Sequence, residues 1–230
     1  MDINKDLIDI KKHEVLRYLG YRSQELSCDI EKLIDETILE AKKLIRPRYT
    51  YKYFSFDSDE KTILFKDMNI SMVGKDIINY LSFSKGFYFM AVTIGIEIDK
   101  VIRYYEKINL TKALILDACG TAAIESVADF LCNKLNDELK NSNCTIKPRY
   151  SPGYGDFPID IQREFLRIVE GEKLIGLTAT KDNILIPRKS VTAVASVVEG
   201  KLDRKNYKKC ATCPNYYTCS YRKEGDICGA

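Results

Sequence analysis

Gly86-Phe-Tyr-Phe-Met-Ala-Val-Thr-Ile-Gly-Ile-Glu-Ile98 is the most apolar run of the chain. It is too short to span a bilayer and carries Glu97 inside it, so it reads as a buried strand over 87–93 running into a helix over 96–108. Before it, Leu26, Ile30, Leu33, Ile34, Ile38, Ala41 and Leu44 recur at three- and four-residue steps, which predicts an amphipathic helix over 24–45 that Arg46-Pro47 ends. A shorter helix over 13–22 precedes that one. Alternation predicts strands over 49–56, 62–65 and 70–73, with a brief helix over 76–81. Beyond the run come a long helix over 111–139, a helix over 159–169, and strands over 174–177, 184–186 and 191–198. Helices and strands mix without the regular alternation of a parallel sheet, so the fold class is α+β with helices around a largely antiparallel, twisted sheet.

The chain has 230 residues, of which 45% are hydrophobic and 30% charged, enough to bury a full core. Thirty-six basic residues against 33 acidic ones leave a net charge of +3, which demands neither nucleic acid nor an acidic membrane as partner. The charged start, Met1-Asp-Ile-Asn-Lys-Asp6, lacks the apolar core of a secretory signal. Eight cysteines without such a signal point to the reducing cytoplasm. Cys28, Cys119 and Cys132 lie within helical patterns and are expected to be buried free thiols. Neither a phosphate-cradling Walker loop nor a dinucleotide-binding glycine fingerprint is present. His13 is the single histidine, which argues against histidine-based catalysis or a three-histidine zinc site.

Two segments carry candidate chemistry. The first is Arg149-Tyr-Ser-Pro-Gly-Tyr-Gly-Asp-Phe-Pro158, where Pro152-Gly153 reads as the centre of a type II turn and lets the backbone approach a ligand. Arg149 offers a planar fork for a carboxylate, and Tyr150 and Tyr154 offer ring faces and hydroxyls. A well-made turn with no ligand accounts for the same residues. Glu125, among small and apolar residues of the long helix, is either solvated or turned toward a site. The second segment is the tail, Cys210-x2-Cys213-Pro-x4-Cys219-x8-Cys228, whose four thiols are spaced for one metal centre. A [4Fe-4S] cluster, a structural zinc and unligated thiols all remain open. Lys201, Arg204, Lys205, Lys208, Lys209, Arg222 and Lys223 surround it with positive charge, as a solvated basic tail or as a dock for an acidic redox protein. Residues 1–199 therefore read as one α+β domain and 200–230 as a basic, cysteine-rich tail.

Several blocks resemble the activation domain of cobalamin-dependent methionine synthase, in particular its short stand-alone relatives. They are Glu14-Val-Leu-Arg-Tyr-Leu-Gly-Tyr-Arg22, Ile124-Glu-Ser-Val-Ala-Asp-Phe-Leu131, Arg149-x-Ser-Pro-Gly-Tyr154, and Leu177-Thr178 followed by Ile186-Pro-Arg-Lys-Ser-Val191. Together they span most of positions 14 to 196, and the Arg149 block is the most specific. The resemblance implies S-adenosylmethionine as ligand, with Arg149 on its carboxylate, Ser151 and Gly153 giving backbone approach, Tyr154 near the sulfonium and Glu125 facing its positive charge. It also implies a separate partner, a cobalamin-dependent methionine synthase or corrinoid protein, because no cobalamin-binding motif is present. After Val198 the chain departs from the pattern and turns into the cysteine tail where the family completes the pocket. A zinc-stabilised interaction module with a protein or nucleic-acid partner is the alternative reading.

Overall fold

The structure is a computed structural model that describes residues 1–21, 24–55, 74–200, 202 and 217. The expected strands over 62–65 and 70–73, and all four tail cysteines, lie outside the described residues. A four-stranded antiparallel sheet forms the centre, in the order β1-β2-β6-β3, where β1 is Arg48–Ser55, β2 Gly86–Thr93, β3 Cys144–Ile146 and β6 Ser190–Glu199. A small hairpin of β4 (Thr178–Ala179) and β5 (Leu185–Ile186) stands apart.

Every residue of β2 is buried, as its unbroken apolar run requires. Tyr88, Met90 and Val92 face one core, and Phe87, Phe89 and Ala91 face another, following the two-residue period of a strand. The first core is closed by α1 (Lys12–Tyr18), α2 (Cys28–Leu44), α4 (Glu97–Ile108) and α5 (Leu110–Leu139). The second is closed by α3 (Lys75–Leu81), α6 (Gln162–Ile168) and α7 (Gly171–Ile175). The result is an α+β architecture with helical layers on both faces of the sheet.

Local chemistry explains the boundaries. Ser27 accepts a hydrogen bond from Ile30 N at 3.4 Å and so starts α2 later than the apolar period alone predicts. Asn109 both ends α4 and caps α5, accepting from Lys112 N at 3.0 Å, so the two helices meet at a one-residue joint. The 30 residues of α5 run about 45 Å along the sheet. Two expectations are overturned. Residues 171–175 form α7 rather than a strand over 174–177, because a short apolar run carries no period of its own, and Gly176 and Leu177 close it with helix-terminal hydrogen bonds to Glu172 and Gly171. Cys28 is exposed rather than buried, since it occupies the first turn of α2 on its outward side.

Cys119 on α5 is fully buried, as expected, and burial pushes its thiol up to about 12 from 9.0. A raised thiol pKa gives stability that is complete below pH 9 and is lost as pH climbs toward 12, because only the unfolded chain ionises there. Between pH 9 and 10 the buried thiol should take about 1 kcal/mol per pH unit from the free energy of unfolding, in addition to what the tyrosines raised by burial take. Urea titrations of the wild type and of Cys119→Ala check this; the variant's slope should be shallower by that amount.

Candidate functional site

Arg149 emerges at the edge of the sheet, on the extension of β3 that follows β6. Tyr150 exchanges backbone hydrogen bonds with Val194 of β6, at 2.9 and 2.8 Å, which fixes the backbone of its neighbour Arg149. Strand alternation then sends successive side chains to opposite faces. Arg149 turns toward α5, whereas Tyr150 stacks on Tyr80 of α3 with ring centroids 5.1 Å apart.

Arg149 is only 6% exposed, yet its guanidinium is well paired. Its Nη1 donates to Asp129 Oδ1 at 2.6 Å and its Nη2 to Glu125 Oε2 at 3.0 Å. Nη1 also lies 3.5 Å from the Cys132 sulfur. Burial works against the cationic form, but Cys132, Asp129 and Glu125 together hold the pKa above its ordinary value, so the fork stays charged. Glu125 and Asp129 stand one helical turn apart on α5, so both reach the same cation. They are half-exposed, which places the buried cation behind and the two carboxylates toward solvent.

The loop that follows is a built structure. Tyr154 N donates to Ser151 O at 3.1 Å, and Gly153 sits at φ +92°, so Pro152-Gly153 forms the type II turn that the sequence predicts. A second tight turn closes from Phe157 N to Tyr154 O at 3.0 Å, with Gly155 at φ +52°. A side chain at Gly155 would run into Asp76 and the Tyr150 hydroxyl. Gly153 N donates to Phe157 O at 2.8 Å across the loop. Asp156 and Asp76 clamp it to α3: the Asp156 carboxylate accepts from Lys75 N and Asp76 N at 2.6 and 3.0 Å, and Asp76 accepts from Asp156 N at 3.3 Å. Phe157 plugs into the second core with 1% exposure. At the apex Tyr154 remains 59% exposed, its carbonyl held by the Tyr150 hydroxyl at 3.2 Å.

The N-terminal segment forms a further wall. Asp9 N donates to Ser126 Oγ at 3.2 Å, beside Glu125, and α1 packs along α5. Tyr18 of α1 is raised to about 12, first by burial and next by the charge of Glu125, so it is a protonated phenol at neutral pH. Arg17 covers the Tyr18 ring at 4.1 Å and bonds Glu14 at 2.6 Å.

Of the residues in the sequence reading, Glu125 pairs with Arg149 on the α5 side of the sheet, whereas Ser151, Gly153 and Tyr154 form the turn that follows Arg149, with the Tyr154 ring 6.2 Å from that of Tyr150. Asp129, Cys132 and Tyr18 join Glu125 and Arg149 without having been singled out for it. Asp129 stands four residues after Glu125, a spacing that was available as a signal. The Ile186–Val191 block lies elsewhere: Lys189 covers Gly120 of α5 and bonds Asp117 and Thr121, at 2.8 and 2.9 Å. Among the described residues no group of three or more His, Cys, Asp or Glu is arranged to hold a metal ion. No helix among them is long and apolar enough to cross a membrane.

No family profile matches the sequence, and a search of curated proteins returned no match. Solved structures do match. The crystal structure of the MetH reactivation domain bound to AdoHcy superposes with a TM-score of 0.61 and 16% sequence identity, covering 85% of this chain and 77% of that one. The chain has the fold of the MetH reactivation domain. At this identity the likeness is one of fold, and it is the fold that the short sequence blocks imply.

Proposed function

We propose that this protein binds S-adenosylmethionine and serves as a reactivation subunit, supporting reductive remethylation of cob(II)alamin carried by a separate cobalamin-dependent methionine synthase or corrinoid protein. One observation carries the reading: Arg149 pairs with Glu125 of the long helix and leads directly in the chain into the turn of Ser151, Gly153 and Tyr154, in a fold whose solved neighbour holds AdoHcy. The chemistry of the group fits the ligand. Carboxylates face its ammonium and sulfonium charge, the glycine turn brings backbone close, and the exposed Tyr154 ring can lie against a cation or a corrin edge. The sulfonium is already a strong methyl donor toward cob(I)alamin. The protein therefore needs no general base, only placement of the methyl group.

Isothermal calorimetry with S-adenosylmethionine and S-adenosylhomocysteine tests the ligand, and an anaerobic reactivation assay with a corrinoid protein and a reductant tests the role. No heat of binding to the intact protein refutes the reading. The four tail cysteines, Cys210, Cys213, Cys219 and Cys228, add a metal centre to it, a [4Fe-4S] cluster in the first instance and zinc in the second. Iron, sulfide and zinc analysis of anaerobically purified protein decides between them. The basic residues around those cysteines fit an acidic redox protein as electron donor.

A further inference from the structure

We infer that α3 is the mooring of the segment from Lys147 to Asp156, that Asp156 is its positioning residue, and that ligand binding beside Tyr154 and the order of α3 therefore strengthen each other. The inference rests on the S-adenosylmethionine reading and adds to it a coupled element outside the site.

The ground is how α3 is capped. A helix of 7 residues has little stability of its own, and this one starts after Gly74, which offers no side chain to its orphan amides. The Asp156 carboxylate takes that place from a distant part of the chain, accepting from Lys75 N and Asp76 N. Asp76 returns the bond, its own carboxylate accepting from Asp156 N. At the other end Lys147 Nζ donates to Tyr80 O at 2.7 Å and to Ser82 O at 3.1 Å. An acid at the first turn and a cation at the last both suit the helix dipole. Both caps come from one stretch of chain, and Arg149, Ser151, Gly153 and Tyr154 lie between them. A third tie runs through aromatic rings: Tyr80 stacks on Tyr150 and its hydroxyl donates to Pro148 O at 2.9 Å, while the Tyr150 hydroxyl holds Tyr154 O. The turns inside the loop fix its shape; these three ties, with Phe157, fix where it stands. Opening α3 releases the loop, so a ligand that needs the loop in place disfavours that opening.

The test combines calorimetry with amide hydrogen exchange across α3, on the wild type, Asp156→Ala and Asp156→Asn, with melting curves as control. In the wild type, S-adenosylmethionine at about ten times its dissociation constant should slow exchange across α3 by up to about tenfold. Asp156→Ala should weaken binding about fivefold, the size of a lost helix cap, and the ligand should then protect α3 less. Asparagine caps a helix as well as aspartate does, so Asp156→Asn should recover most of the affinity. Unchanged α3 exchange in wild-type protein that binds the ligand overturns the coupling, and that readout needs no variant. Asp156→Ala binding as tightly as the wild type overturns it too. An asparagine variant as weak as the alanine one assigns the effect to charge rather than to the cap and overturns the positioning role. In each of these cases the ligand reading stands. Wild-type protein that binds no S-adenosylmethionine overturns the ligand reading and the coupling together.

Discussion

Phe157→Ala is expected to lower the free energy of unfolding by about 3–5 kcal/mol, the range for deleting a fully buried phenylalanine. Phe157 is 1% exposed and packs in the core formed by Phe87, Phe89, Phe165 and Leu166. Phe157 also closes the loop, through its amide to Tyr154 O and its carbonyl to Gly153 N. The same change should weaken S-adenosylmethionine binding at a temperature where the variant stays folded, since Tyr154 loses its fixed position. Urea titration gives the first number and calorimetry the second. A variant that is destabilised but binds normally would separate the loop from the site.

Arg149→Ala should abolish measurable binding, a loss of at least about a hundredfold, or about 2.7 kcal/mol. Without the guanidinium, Glu125 and Asp129 stand one turn apart with like charge and spread away from each other. The cost to stability is smaller, about 1–3 kcal/mol, because both carboxylates are half-exposed and water takes over part of the cation's role. Arg149→Lys is the informative companion. It restores charge, but a single ammonium does not reproduce two N–H groups aimed at two acceptors, so binding recovers only in part. Calorimetry on both variants, with melting curves as control, checks the order wild type, lysine, alanine.

Much of the fold could be read from apolar spacing. The run at Gly86–Thr93 is buried on both faces because both of its alternating sets are apolar, so a buried strand could be read directly from it. The α2 and α5 periods and the break at Arg46-Pro47 worked for the same reason. Where spacing carried no period, reading failed, as at Leu174 to Leu177, which belong to the end of a short helix and its cap. The turn at Pro152-Gly153 was legible because two residue types fix its dihedrals. The company of Arg149 was not. Sequence offers a guanidinium fork without saying whether it meets a ligand or the protein, and only the register of the 144–150 segment along β6 turns it back onto Glu125 and Asp129. Tyr18 was hidden likewise, since its approach to Glu125 depends on how α1 lies across α5.

The alternation at Arg149 and Tyr150 has a thermodynamic consequence. Arg149 belongs to the α5 side of the sheet and Tyr150, with Phe157, to the other. A ligand touching both Glu125 and Tyr154 is then a rivet through the rim of a three-ply laminate. Its binding free energy adds to the cohesion of both outer plies together, and neither can peel from the sheet without first releasing it.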